Sequence, residues 1–321
     1  MVNDGLVASL APPRFAALLG DFAFFAFLLL IFVGLQPFSP PVEVSNFGGI
    51  VHSSAGNALR QFSYLLVFTL ILFSAVRQRG LVIVQSVPLG LVLVLAWCLA
   101  SAAWATEPDV AFRRAALEVV IVLSAMLGME SVGVDRSLLY WRIVLGMVLI
   151  VNWLSIPFIP TAVHLPGELD VSLIGDWRGL YGHKNIAGAV CVITILLFLF
   201  TRNGKRNWFG ILMAVVAAGF LTMTHSKSSL GLLPLALLGG IVYRLAWRRS
   251  LDRAIVCVGA GLLLAAGIVF VLLDETVIAH ILSDPAEFTG RAAIWSAELA
   301  YIRDHPLLGA GFGTFADTGG L

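Results

Sequence analysis

The sequence predicts an all-helical polytopic membrane protein, and three observations carry that prediction. The 321 residues are 59% hydrophobic and 12% charged, whereas an ordinary soluble domain is about a quarter charged. Apolar runs of about 17 to 22 residues recur along the chain, each closed by charge, Gly or Pro, the length a helix needs to cross about 30 Å of hydrocarbon. The runs are continuously apolar rather than alternating, which disfavours a β-barrel.

About nine such runs are predicted, near residues 14–35, 61–76, 81–101, 112–129, 142–159, 186–201, 208–224, 229–246 and 254–273. The first is longer than a signal-peptide core. "QPFSPP" follows it with no small-residue cleavage pattern, so it reads as an uncleaved helix. Short basic connections at 77–80, 201–207 and 243–253 recur on every second loop, which places them in the cytoplasm. The connections 36–60, 102–111, 160–185 and 224–229 and the tail from Asp274 then face outward. Residues 1–273 form the expected bundle, and 274–321 an outer segment. Within that segment Ala292, Trp295, Leu299 and Ile302 recur at three- and four-residue spacing, which predicts an amphipathic helix over 289–306, along the membrane or over the bundle.

The net charge of +1 argues against a nucleic-acid partner. Cys98, Cys191 and Cys257 fall within predicted spans and suggest neither a disulfide nor a zinc framework. No HExxH or paired-His pattern occurs, and the outward acids, Glu168, Asp170 and Asp176 among them, lack a compact ligand spacing, so no metal or other cofactor is expected. The Gly-rich "HPLLGAGFGTF" (305–315) has neither the spacing nor the strand–helix context of a dinucleotide site.

Polar residues collect on the outward connections. "GDWRGLYGHKNIAGAV" (175–190) brings Arg178, His183 and Lys184 to the start of the sixth run, where Asn185 is placed to cap the helix. "THSKSSLG" (224–231) puts Lys227 between two spans. It either meets an anion or a wet cavity there, or snorkels to the interface. Ser226, Ser228 and Ser229 can donate to phosphate or cap the next helix, and His225 reads as a satisfied interfacial histidine rather than a base. Arg291 would sit in the first turn of the amphipathic helix, where the macrodipole favours anions, so it is either solvated or shares a bound anion with the free backbone N–H groups. In "SAAWATEPDVAFRRA" (101–115), Trp104 reads as an interface anchor, with Arg113 and Arg114 entering the next span. Orientation does not require outward cations, so Arg178, Lys184, Lys227 and Arg291 point to a shared anionic ligand, a diphosphate at the lipid–water boundary above all.

These residues carry a family likeness. "SAAWATEPDVAFRRA", "RGLYGHKNIAG", "THSKSSLG" and, most specifically, "TGRAAIW" followed by "HPLLGAGFGTF" resemble the O-antigen ligase and polymerase superfamily, which includes bacterial exopolysaccharide polymerases. The likeness runs from about residue 100 to the end, in the family's order. It implies a GT-C-like inner-membrane glycosyltransferase with a large periplasmic loop, of which 274–321 would be the start. The implied reaction transfers a glycan from an undecaprenyl-diphosphate carrier to an acceptor hydroxyl on a saccharide or lipid, without a metal and with inversion. Ser226-Lys227 stands where the family often has Ser-Arg, a spelling closer to the exopolysaccharide branch.

The resemblance implies Lys227 and Arg291 as the catalytic cations. Arg178, His183, Lys184, Asn185, Ser226, Ser228 and His305 would contact substrate, and Gly309, Gly311 and Gly313 would let backbone approach the sugar or phosphate. It also puts the presumed base, a histidine in a His-Asn motif, beyond Leu321, so the chain is expected to be C-terminally truncated. His305 belongs to the His-Pro-Leu-Leu-Gly motif and does not substitute for that base. The alternative class is a transporter or flippase for the same lipid-linked anion. Such a protein should carry polar groups through several spans, whereas Asp21 and Glu118 are the main charges within the runs here.

Overall fold

The computed structural model describes residues 14–39, 58–166, 168, 171–200, 208–246, 250–273 and 291–315. Ten α-helices are found among them: α1 (Arg14–Phe32), α2 (Ala58–Arg79), α3 (Leu89–Ala100), α4 (Pro108–Val132), α5 (Val134–Phe158), α6 (Lys184–Phe200), α7 (Trp208–Met223), α8 (Lys227–Ala246), α9 (Ser250–Leu273) and α10 (Arg291–Asp304). Each predicted apolar run overlaps one of the first nine. Four helices, α1, α2, α4 and α5, are long and apolar enough to cross a membrane. Shorter apolar helices occupy Leu89–Ala103, Lys184–Phe200, Trp208–Met223 and Ala254–Ala266. The basic connection 201–207 and the segment 274–290 lie outside the described residues.

The run expected at 81–101 is shorter as an α-helix. Residues Gly80–Ser86 wind as a 3-10 helix, and α3 starts only after Pro88, whose carbonyl accepts from Leu91 and Val92. Proline disfavours helical backbone in the residue before it and suits the start of a helix, so Val87-Pro88 resets the chain.

The chain divides into two compact units, residues 1–94 with 117–234, and residues 95–116 with 235–321. In the first unit α1 lies against α2 and α5, and α6 against α7 and α5. Ser74 Oγ donates to the Ala16 carbonyl at 2.6 Å, one of the side-chain bonds that join apolar helices where water is scarce. Large apolar side chains such as Phe22 (66% exposed), Leu93 (61%) and Leu212 (58%) stay on the outside, as a helix facing lipid requires.

The loops of this unit sort to two ends. At one, Arg79 pairs with Glu130, and Arg136 pairs with Asp21 at 2.8 Å, which gives the unexpected acid of α1 its partner. At the other, Phe38 N–H donates to Leu180 O and Thr161 to Phe38 O, while Trp177 N–H donates to Met223 O. The α1–α2 and α5–α6 connections are therefore bonded to each other, and the second also to the end of α7.

In the second unit, α10 forms where the amphipathic helix is expected. Its Trp295, Leu299 and Ile302 are exposed, at 36%, 40% and 53%.

Candidate functional site

The loop between α5 and α6 is built by its own backbone. Val163 and Trp177 form an antiparallel bridge, His164 N–H donates to Asp176 O, Gly175 N–H returns to His164 O, and the N–H groups of Arg178 and Gly179 share Ala162 O. Trp177 packs edge-to-face on Trp153 of α5 and tilted against Phe220 of α7, with centroids 5.3 and 5.4 Å away. Buried Asn152 of α5 accepts from Leu180 N–H at 3.0 Å. An indole and a helix amide thus pin the loop to the bundle.

Arg178 does not stand at an outer rim. It is fully buried, its Nε donating to Thr161 O at 2.7 Å and its Nη1 to Gly182 O at 3.2 Å. A planar guanidinium suits this role because its fixed fork reaches two carbonyls of one loop at once. Burial draws its ionisation down, opposed by the Glu168 carboxylate, and an arginine remains charged through such a shift.

Burial pushes the Glu168 carboxyl up, but bonds from His164 Nδ1 at 2.5 Å and Leu165 N–H at 3.0 Å outweigh it and hold the group below the ordinary range. The folded loop therefore binds fewer protons here than the unfolded chain. Its added stability is complete above the unfolded glutamate value of about 4.3 and is lost as pH falls through the lower folded value. Amide exchange at residues 160–183 is expected to accelerate selectively below about pH 4, and Glu168→Gln to remove that dependence.

The start of α6 is closed. Lys184 N–H donates to His164 Nε2 at 3.2 Å, Asn185 N–H to His183 Nδ1 at 3.1 Å, and the N–H groups of Ile186 and Ala187 to His183 O. The cap is His183, with His164 behind it, and not Asn185. Asn185 Oδ1 instead accepts from Ser226 Oγ at 3.0 Å. The four N–H groups that a helix leaves unpaired are all used, so α6 offers an anion nothing. Lys184 is also occupied, since its ammonium pairs with buried Asp176.

Asp176 is the hub that the sequence reading missed. One oxygen meets Lys184 Nζ and the other lies 2.7 Å from His225 Nδ1. Its partners stand eight and forty-nine positions away. The available signal was an acid inside the cationic run "GDWRGLYGHK".

The α7–α8 corner rests on α6. A Cβ on Gly188 would come within 2.8 Å of Ser226 Cβ and Ser229 Oγ, so a small residue is needed there. Ser226 is buried, 3.0 Å from Ser229 Oγ. Lys227 and Ser228 are exposed, and Lys227 has no hydrogen bond or ion pair among the described residues. It is the first residue of α8, whose leading N–H groups favour an anion. Of the four cations assigned to one ligand, Lys227 is open, Lys184 and Arg178 are engaged, and Arg291 opens α10 in the other unit.

In that unit two further motifs interlock. Trp104 Nε1 donates to Leu308 O at 2.8 Å, Phe312 N–H to Ser101 Oγ at 2.9 Å, Thr106 N–H to Ala310 O at 3.4 Å, and Arg114 to Gly313 O. Gly311 has φ +91°, and a Cβ there would stand 2.4 Å from Ala105 Cβ. The close approach it permits is to this chain's own backbone. Gly309 and Gly313 also have positive φ, and Gly309 has open space around it. His305 is exposed, its ring stacked on Tyr301 at 4.3 Å and its Nδ1 bonded to Tyr301 O.

Residues 212–319 match the O-antigen ligase family model. That match supports the O-antigen ligase and polymerase superfamily and a ligase- or polymerase-type function, that of a glycosyltransferase acting on a lipid-linked glycan and an acceptor. With helices apolar enough to span a bilayer, it describes a membrane protein. No curated protein and no solved structure matches the chain. The O-antigen ligase segment contains Lys227, Arg291, His305 and the three glycines. "GHKNIAG" and "SAAWA" lie outside it, yet each is bonded to it, through Asn185–Ser226 and through Ser101–Phe312.

Proposed function

We propose that the protein is an inner-membrane glycosyltransferase that moves a glycan from undecaprenyl diphosphate to an acceptor hydroxyl, as an O-antigen ligase or an exopolysaccharide repeat-unit polymerase. The observation that carries this reading is Lys227 at the start of α8, exposed and unpaired among the described residues, inside the segment that matches the O-antigen ligase model. Nine spans with the basic loops in the cytoplasm would put Lys227 on the periplasmic side. Arg291, in the same segment, is the second cation.

Lys227 holds the donor's diphosphate and counters the negative charge that builds on it as the anomeric C–O bond breaks, and Arg291 is proposed separately as a phosphate-binding cation of its own unit. Diphosphate is already a good leaving group, so a cation suffices without a metal. The acceptor oxygen attacks in line, which inverts the anomeric carbon. Asn185 and Ser226 hold the corner that presents Lys227, Ser228 faces substrate, and Arg178 shapes the loop from within.

The test is equilibrium binding of undecaprenyl diphosphate to the protein in nanodiscs. A hydrogen bond to a charged group contributes about 1.5–3 kcal/mol, so Lys227→Ala and Arg291→Ala should each weaken binding about 10- to 100-fold. Each should leave insertion intact. Unchanged affinity in both variants removes the clamp.

A further inference from the structure

A cavity of about 330 Å³ lies between the end of α1 and the start of α2, at the end of the first unit where the α1–α2 and α5–α6 connections meet. The proposed transfer does not use it, and its lining lies outside the O-antigen ligase segment. The sequence builds it in three steps. Gly34 has φ +74°, and the N–H groups of Val33 and Gly34 both donate to Leu29 O, so α1 ends and the chain turns away with Leu35 and Gln36. The Leu30 carbonyl, left over as the helix ends, accepts from buried Tyr64 Oη at 3.1 Å, which ties α2 to α1 beside the cavity. Arg60, one turn earlier in α2, lays its guanidinium over the Tyr64 ring, with Cζ 6.0 Å from the centroid.

The lining selects a ligand. Leu30, Ile31 and Leu35 are apolar, Gln36 and Arg60 carry N–H donors, and no acid is among the lining residues. An anion with a hydrocarbon part meets all of these. Guanidinium geometry matches phosphate oxygens in pairs, and its five donors let Arg60 engage a phosphate beside its other contacts. The carboxyl end of α1 favours a cation next to it, and the Tyr64 ring steadies the guanidinium. Arg60 therefore loses less freedom when a ligand binds. A sugar is a poorer match, because the ring face on which it would stack is covered by the guanidinium. The cavity is at the small end of ligand sites. It holds a glycerophosphate headgroup and leaves acyl chains outside, where Ile31 and Leu35 are exposed.

We propose that this cavity binds the headgroup of an anionic glycerophospholipid, such as phosphatidylglycerol, with Arg60 on its phosphate and Gln36 as a second donor. Phosphatidylethanolamine is disfavoured, because its ammonium brings a positive charge next to Arg60 and no lining acid receives it. The bound lipid bridges the ends of α1 and α2. It steadies the connection in which Phe38 is bonded to Leu180 and Thr161.

The test is thermal unfolding of the purified protein in detergent micelles doped with phosphatidylglycerol, phosphatidylethanolamine or undecaprenyl phosphate, or with inorganic phosphate in the buffer. Phosphatidylglycerol should raise the Tm of the parent. The mole fraction that gives half the rise should increase about 10-fold or more in Arg60→Ala, and less in Arg60→Lys, which keeps the charge without the fork. Ile31→Trp fills the cavity and leaves Arg60 in place, and it should lose the rise as well. The quantity compared is the lipid-dependent shift, which a change in basal Tm leaves readable. Equal rises with phosphatidylglycerol and phosphatidylethanolamine, or an undiminished rise in Arg60→Ala or Ile31→Trp, overturn the site. A rise with undecaprenyl phosphate or inorganic phosphate, and none with phosphatidylglycerol, overturns the assignment of a glycerophospholipid.

Discussion

Asp176→Ala is expected to be the most damaging single change to the loop between α5 and α6. It strands Lys184, whose side chain is only 12% exposed, and releases the His225 ring from Asp176. Breaking a buried ion pair by removing one partner costs about 3–5 kcal/mol, and the partly exposed Lys184 side chain argues for the lower end. Most of that cost is the unpaired ammonium rather than the lost attraction. Asp176→Ala with Lys184→Met should therefore be more stable than Asp176→Ala alone. Thermal unfolding in detergent and amide exchange across 171–186 and 224–230 read the effect. Equal losses in the single and double variants would show that the ion pair is not what holds the loop.

Gly311→Val is expected to undo the second unit's interlocked motifs. The new Cβ would meet Ala105 Cβ at 2.4 Å, Ala105 Cα at 2.9 Å and Ser101 O at 3.2 Å, and two of these three are backbone atoms that cannot swing aside. Overpacking costs about 1–3 kcal/mol, and a β-branched residue at φ +91° adds at least the roughly 1–2 kcal/mol of a left-handed backbone. The turn should lift away, which breaks the Trp104–Leu308 and Phe312–Ser101 bonds together. Faster proteolysis within 305–315 and a red-shifted Trp104 emission would report it. Gly309→Ala separates the two causes, because that position has positive φ and open space and should lose only the backbone contribution. If both variants resist protease like the parent, the close packing is not what docks the turn.

The helices were legible because continuous apolar runs leave few alternatives, and α3 slipped only where Pro88 interrupts its run. The polar clusters were also legible as clusters. Their internal wiring was not, since it depends on a loop fold that no local pattern encodes. Arg178 points inward because Thr161 and Gly182 present carbonyls that exist only once 160–183 has closed on itself. Asn185 reads as a cap by residue type, yet His183 precedes it and its ring accepts the N–H of Asn185 itself. Asp176 could not be seen as a hub because one of its partners arrives from the far side of two helices. Gly311 was read as room for a ligand, and the space is filled by Ala105, some 200 positions earlier.

Transfer itself is the most direct test of the account. Vesicles carrying the protein, supplied with a glycan on undecaprenyl diphosphate and an acceptor, should release free carrier diphosphate in step with new glycosidic bonds, and Lys227→Ala should abolish both. Movement of the intact lipid-linked glycan across the bilayer, with no glycosidic bond made or broken, would contradict it and point to a transporter.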